Sequence, residues 1–470
     1  MASGFEVMDD AKFGNFHRKL VFITGVGAFT DLYNTIIYTA AVFSILSVYH
    51  TTLTVYGVIG FLFFIGGVIG ALTWGIIADL IGRKISFILD LVIMVVFALA
   101  SGLFVNLTAL MIFRFLIGFA LGGDYPSALA LLSEYSPVKS RGKLLVTFWT
   151  LFAVGGFAAG IVGYLTLLRW GVSTLQMQIV LASGAIPGII GIVVRLHIPE
   201  SPRWLARKGR LDDAIKSIET ATGVKINKAT LVESLAPIKS RINSAKLFFN
   251  RKYTYITVAL AVVVLLPNFI PTAAASFTPY LFATLGFAKT ASTLYISLFF
   301  ELPLIIFGIL ASMLVEKIGR LKTMTIDGII IGIGAIVMSF LLHNALGLII
   351  SFIVAAGTSI IYFSVAYTLG AELYPTQIRG AGIGYNTSLS RLSGALAYLI
   401  TPLLIAFYGE SGLWKIYGSL ALIGIVISYI MLRKITSVEG KSLESISEEP
   451  NKIQQGTGSE SPDAIPHGGD

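Results

Sequence analysis

Gly75-Ile-Ile-Ala-Asp79-Leu-Ile-Gly82-Arg83-Lys84 and Ser312-Met-Leu-Val-Glu316-Lys-Ile-Gly319-Arg320-Leu321 lie 237 residues apart in a chain of 470. In both, a carboxylate stands three residues before a Gly-Arg pair. Glycine permits a tight turn, and arginine can pair with a carboxylate at an adjoining helix end. A second set, Glu134, Pro137, Arg141 and Gly142, recurs 238 residues on as Glu372, Pro375, Arg379 and Gly380. Two independent motifs at nearly one offset predict a parallel duplication of the chain.

Around these motifs the chain is apolar. It is 55% hydrophobic and only 13% charged, and at ~1.5 Å per residue its runs of twenty or more apolar residues each cross a hydrocarbon core of ~30 Å. Twelve such runs are expected, at about 20–48, 55–82, 86–104, 107–133, 143–168, 175–197, 253–285, 291–317, 322–342, 345–373, 381–408 and 412–433. They are continuously apolar, which predicts helices rather than barrel strands. The expected fold is an all-α membrane protein, with twelve transmembrane helices in two six-helix pseudo-repeats. Its parts are an N-terminal segment 1–19, a bundle 20–197, a central loop 198–252 with an amphipathic helix from Leu211, a second bundle 253–433 and a largely disordered tail 434–470.

Of the net charge of +9, +7 lies in 200–252, where twelve Lys or Arg face five Asp or Glu. Other basic residues mark alternate breaks between runs, so both termini and the central loop are expected in the cytoplasm of a multi-pass cell-membrane protein. The charge therefore reflects the lipid bilayer and calls for no nucleic acid. The first run is too long for a signal-peptide core, so no cleavage is expected. There are no cysteines, and the five histidines are scattered, so neither thiolate chemistry nor a metal site is expected. No phosphate-binding loop is encoded, which argues against an ATP-driven pump. An enzyme is not expected. A solute sensor would want a large soluble signalling domain. The remaining class is a secondary transporter needing no cofactor, with a proton as coupling ion, a small-molecule solute and a monomer as the default state.

Charges within the runs mark the candidate site, because a mid-bilayer carboxylate is costly unless it faces protein or water. Asp31, Asp124 and Arg391 each fall ~15 Å along their helices, near mid-depth. Asp31 and Asp124 are expected to share one central cavity and to exchange protons. The alternative for Asp124 is a polar clamp between helices without solute contact. Tyr125, Asn34, Asn268 and Arg391 are the candidate solute contacts. Arg391 suits either a hook for an anionic solute or a fixed counter-ion for an aspartate. Arg114 near the outer face and Glu301 before Pro303 are secondary candidates. Asp90 and Asp327 are expected to pack with loop charges. A cytoplasmic gate is expected from Asp79, Arg83, Glu134 and Arg141 in the first half, with Glu316, Arg320, Glu372 and Arg379 in the second.

The Gly75–Ser86 loop and its repeat resemble the signature of the major facilitator superfamily, and the likeness extends over all twelve runs. The resemblance implies a solute site near the midplane between the halves. Pro199-Glu-Ser-Pro-Arg-Trp204-Leu and Val438-Glu-Gly-Lys-Ser-Leu-Glu-Ser-Ile446 are similar to the loop and tail motifs of the sugar-porter subgroup. The run Gly122-Gly-Asp-Tyr-Pro126 to Glu134, with Arg141-Gly142, resembles the phosphate:proton symporters. That likeness implies proton and phosphate roles for Asp31, Asp124 and Tyr125, with Arg391 standing where that family has lysine. Phe152, Val264, Asn268, Thr272 and Phe363 depart from its phosphate ligands, and Leu266-Pro-Asn-Phe-Ile-Pro271 lacks the paired glutamines of sugar porters. The expectation is a proton symporter of a small anion such as phosphate, with a sugar or organic carboxylate as the alternative.

Overall fold

The computed structural model describes residues 5–235, 250–284, 290–374 and 378–433. The first bundle comprises α1 (Asn15–Ala40, resuming as Val42–Val48), α2 (Leu53–Ile81), α3 (Arg83–Leu103), α4 (Leu107–Gly122 and Asp124–Tyr135), α5 (Arg141–Trp170) and α6 (Thr174–Ser183 and Ala185–Arg195). The second comprises α7 (Arg251–Leu265 and Phe269–Thr284), α8 (Thr290–Ile318), α9 (Arg320–Met338) and α10, which runs Ala345–Phe352, a π turn Ile353–Gly357 and Ser359–Leu373. The continuous helix Arg379–Leu432 folds back at Gly409, whose φ is 67°; its two arms are α11 and α12. Among the described residues ten helices are long and apolar enough to cross a membrane. One of them, Ala381–Leu432, is the α11–α12 pair, and α8 adds a shorter apolar stretch, Glu301–Val315.

The twelve expected runs are thus found, with one notable shift. The first helix begins at Asn15 rather than 20, and Phe5 and Met8, at the start of and on the short helix Glu6–Asp9, are fully buried. The amphipathic helix of the central segment is Leu211–Thr222, burying Ala214, Ser217, Ile218 and Ala221 on one face. The expected disordered tail lies outside the described residues.

Both repeated loops take the turn that glycine allows. Gly82 and Gly319 have φ of 105° and 90° and stand just before α3 and α9, in a region where a Cβ would be strained.

Close helix approach rests on small residues, as it must where lipid removes the hydrophobic drive for association. Gly66 and Gly70 on α2 face the backbone of Phe115 and Phe119 on α4, and Gly118 and Gly122 on α4 face that of Phe63 and Gly67 on α2, so that two Gly-x-x-x-Gly patterns interlock. A Cβ on Gly118 would overlap the Phe63 carbonyl, and one on Gly66 the Phe115 carbonyl. Gly118→Val is therefore expected to prevent a stable first bundle, whereas Gly75→Ala, which meets nothing within 4 Å, is expected to be neutral. Size-exclusion profiles in detergent test this. A monodisperse Gly118→Val protein melting like the parent would refute the packing argument.

The halves meet along α2 with α11 and α5 with α8. Gly57, Gly60 and Gly67 on α2 lie against Tyr398 and Arg391 on α11, while Gly156 on α5 faces Glu301 and Gly308 on α8 faces Thr150.

Candidate functional site

A cavity of about 150 Å3 lies between the halves, with walls from both. It is smaller than the ~300–1,000 Å3 usual for drug-sized ligands. Phe64, Trp149, Phe152, Phe352, Phe363 and Tyr367 give it an aromatic surface. Asp31, Tyr125, Asn268, Glu301, Ser390 and Arg391 supply polar groups.

Asp31 and Arg391 bridge the halves. Arg391 Nη2 donates to Asp31 Oδ2 at 2.5 Å, and the Tyr125 hydroxyl donates to the same oxygen. Both ions are buried, and the Arg391 guanidinium also lies 5.1 Å from the Tyr125 ring centroid. A charge-assisted bond in such surroundings is strong, and either partner alone would be costly. Arg391 is therefore the counter-ion of Asp31 here, rather than an unpaired hook. Asn268, at the offset of 237 from Asp31, lines the wall and donates to the Ser390 carbonyl at 2.9 Å.

Asp124 does not share this cavity. Breaking α4 at Gly123 leaves Asp124 as the first residue of the second half-helix, where a carboxylate is favoured by the helix dipole. It pairs with Arg195 at the end of α6, and a Cβ on Gly27 of α1 would overlap both groups. Arg195 also donates to Asp90 Oδ1 at 3.2 Å and the Phe87 carbonyl at 2.5 Å, and it lies 3.3 Å from the Phe87 ring centroid. The expectation of one cavity for both aspartates is thus corrected: Asp124 is the helix clamp. Asp90 likewise joins Arg195 instead of loop charges. Arg195 was missed as a site residue, although it was visible as a lone arginine inside the sixth apolar run.

Asn34 also points elsewhere than expected, donating to the Thr30 carbonyl at 2.9 Å and the Gly184 carbonyl at 3.3 Å. Arg114 donates to the Asn34 carbonyl at 3.1 Å and stacks on Tyr38 and Phe63, 4.4 and 4.3 Å from their ring centroids. Tyr38 stacks in turn on Tyr56 at 4.6 Å, and the Tyr56 hydroxyl donates to the Ser276 carbonyl on α7 at 3.3 Å. Asp327 accepts from the Tyr362 backbone N–H at 2.9 Å, satisfying a donor just past the π turn of α10, so it too serves packing rather than loop charges.

At the end bearing the repeated loops, Arg320 grips Glu372 through two bonds of 2.7 and 3.0 Å; both belong to the gate cluster expected of the second half, whose Glu372–Arg379 pair lies outside the described residues. The first half differs. Arg141 pairs with Asp9 at 2.7 Å, while the Glu134 carboxylate accepts from the Ser201 hydroxyl. Glu200 accepts from the backbone N–H groups of Arg83 and Lys84, each at 3.0 Å, anchoring the central segment to the positive start of α3. Burial pushes the Glu200 carboxyl above its ordinary value, and these backbone bonds pull it back. Glu134 and Arg141 of the expected gate, which the repeat would pair with each other, are thus corrected to separate partners, because Asp9, Glu200 and Ser201 come from segments outside the repeat. The side chains of Asp79, Glu316 and Arg379 lie outside the described residues.

The chain matches the family described as "Sugar (and other) transporter" over residues 20–449 and belongs to it. It is a multi-pass membrane transporter of the major facilitator class, and its relatives are transporters, not enzymes. It is 28% identical to the niacin transporter NiaP of Acinetobacter baylyi, covering 93% of this chain and 98% of that protein. It is 26% identical to the arabinose-proton symporter of Bacillus subtilis, covering 90% and 92%. The solved proton:xylose symporter XylE bound to 6-bromo-6-deoxy-D-glucose superposes with a TM-score of 0.77 at 20% identity, covering 92% and 98%, which shows the shared fold. The resemblance of the α4 signature to phosphate symporters is not supported: the matched family is that of the sugar transporters.

Proposed function

We propose that this protein is a proton-coupled secondary transporter of a small organic solute, with a sugar as the primary reading. The observation that carries it is the cavity spanning both halves, in which Asp31 Oδ1, Trp149 Nε1, Ser276 Oγ and Glu301 Oε2 are buried with no partner among the described residues. Buried polar atoms normally find partners, and a solute's hydroxyl groups would supply them. Aromatic walls suit the apolar faces of a sugar. Arg391 is the single cation of the wall among the described residues and already holds Asp31, which disfavours a multiply charged anion such as phosphate.

The second reading is an organic carboxylate, supported by the ring-lined wall and by the niacin transporter among the relatives. Protonating Asp31 would loosen its hold on Arg391 and free the guanidinium for such a solute. In either case a proton on Asp31 releases the bridge between the halves, linking proton uptake to their movement. The bias of basic residues supports placing the Arg320–Glu372 end in the cytoplasm, as a gate. Both walls of the cavity come from the two halves of one chain, which supports the monomer as the transporting unit.

Proteoliposomes with an imposed pH gradient test these readings with D-xylose, L-arabinose, nicotinate and phosphate. Accumulation of a pentose is expected, and nicotinate alone would select the second reading. Uptake of phosphate alone would overturn both.

A further inference from the structure

Among the described residues, Glu301 is the carboxylate of the cavity wall that no cation balances. Its side chain is 5% exposed, and its Oε2 atom has no hydrogen-bond partner. It sits in a notch of the other half, since a Cβ on Gly156 of α5 would overlap Oε2. The other buried acids of the spans have partners: Asp31 has Arg391 and Tyr125, Asp90 and Asp124 share Arg195, and Asp327 accepts from Tyr362.

The elements packed on α8 offer Glu301 no compensating charge among the described residues. Helix α5 is charged only toward its ends, at Arg141, Lys143 and Arg169. The Phe269–Thr284 part of α7 carries no charge and the phenol of Tyr280. The Ser359–Leu373 part of α10 carries Glu372, already paired with Arg320, and the phenols of Tyr362 and Tyr367. On α9, Arg320, Lys322 and Asp327 all lie within the first eight residues. Across the cavity stand the Asp31–Arg391 pair and the Tyr125 hydroxyl, which is committed to Asp31.

We propose that Glu301 is a second proton-binding site of the transport cycle, taking up its proton as the cavity closes around the solute and releasing it when the cavity opens on the other side. An ionised, unpaired carboxylate cannot be enclosed at this depth without a large cost. Contact with water in an open state removes that cost, so a proton moves from water to a Glu301 carboxylate oxygen on closing and returns to water on opening. The notch at the α5–α8 seam puts the group where the halves move against each other. Closing the cavity is thereby also loading a proton, independently of the Asp31–Arg391 bridge. This inference deepens the proton-coupled reading above and rests on it.

Two measurements test it. Infrared difference spectra of the purified protein near neutral pH, parent minus Glu301→Gln, should contain the C=O stretch of a protonated carboxylic acid; its absence overturns the proposal. In proteoliposomes, with D-xylose and nicotinate as probes, Glu301→Gln should move fewer protons per solute and lose about tenfold in accumulation per unit of imposed pH gradient. Equal-pool exchange should show a flatter pH profile than that of the parent. An unchanged proton-to-solute ratio overturns the proposal even if the band is present. Should Glu301→Gln fail to fold, Glu301→Asp carries the test: the band must persist at a shifted frequency, and the pH midpoint of uptake must move. A parent protein that accumulates no probe under a pH gradient would defeat the coupled reading itself, whereas a coupled parent with an indifferent Glu301→Gln defeats this inference alone.

Discussion

Arg195→Met should be the most damaging substitution of a buried charge in the first bundle, lowering stability by ~3–5 kcal/mol. The guanidinium is fully buried and holds Asp90, Asp124 and the Phe87 carbonyl together. Methionine fills much of the volume but leaves two carboxylates close together with no cation, and each would have to be buried charged or take a proton. The melting midpoint in detergent should fall by many degrees. Adding Asp90→Asn and Asp124→Asn to Arg195→Met should recover most of the loss, because the orphaned charges are then gone. An unchanged midpoint in Arg195→Met, or no recovery in the triple variant, would show that the clamp is not what holds α3, α4 and α6 in place.

Asp31→Asn should leave binding and movement of solute largely intact while removing one proton from the cycle. Asparagine keeps the shape and can still accept from Arg391 and Tyr125, but it does not titrate. Each proton moved with the solute contributes about 1.4 kcal/mol per unit of pH gradient. The accumulation ceiling should therefore fall ~10-fold per pH unit, with equal-pool exchange retained. Arg391→Gln distinguishes the two solute readings. For a carboxylate, losing a charge-assisted bond worth about 1.5–3 kcal/mol should weaken affinity ~10-fold or more; for a sugar, affinity should change little. Full accumulation by Asp31→Asn would remove Asp31 from the proton path.

The contrast between the two aspartates shows where the sequence stopped being informative. Asp31 and Asp124 are alike on paper: each is a lone acid near mid-depth, beside a tyrosine or close to one. The structure sends one into the cavity and the other away from it. Helix rotation makes the difference, and it is set by glycines such as Gly27, whose missing side chain leaves room for Asp124 and Arg195 on the far side of α1. The gate divides in the same way. Arg320–Glu372 lies within the repeat and was legible from its register, while Arg141 takes Asp9 and Glu134 takes Ser201, from segments that no repeat connects to it.

The amino-acid sequence by itself determined the spanning helices, the duplication and the glycine turns at Gly82 and Gly319. In lipid each span must satisfy its own backbone hydrogen bonds, so local apolarity decides where helices run, and a positive φ is a local demand on one residue. Only the tertiary structure decided which charges meet. Asp31 and Arg391 stand 360 residues apart, and a buried ion is obliged to find a partner without any local signal naming it. That choice follows from how closely α2 meets α11 and α5 meets α8, a property of packed surfaces rather than of any stretch of chain.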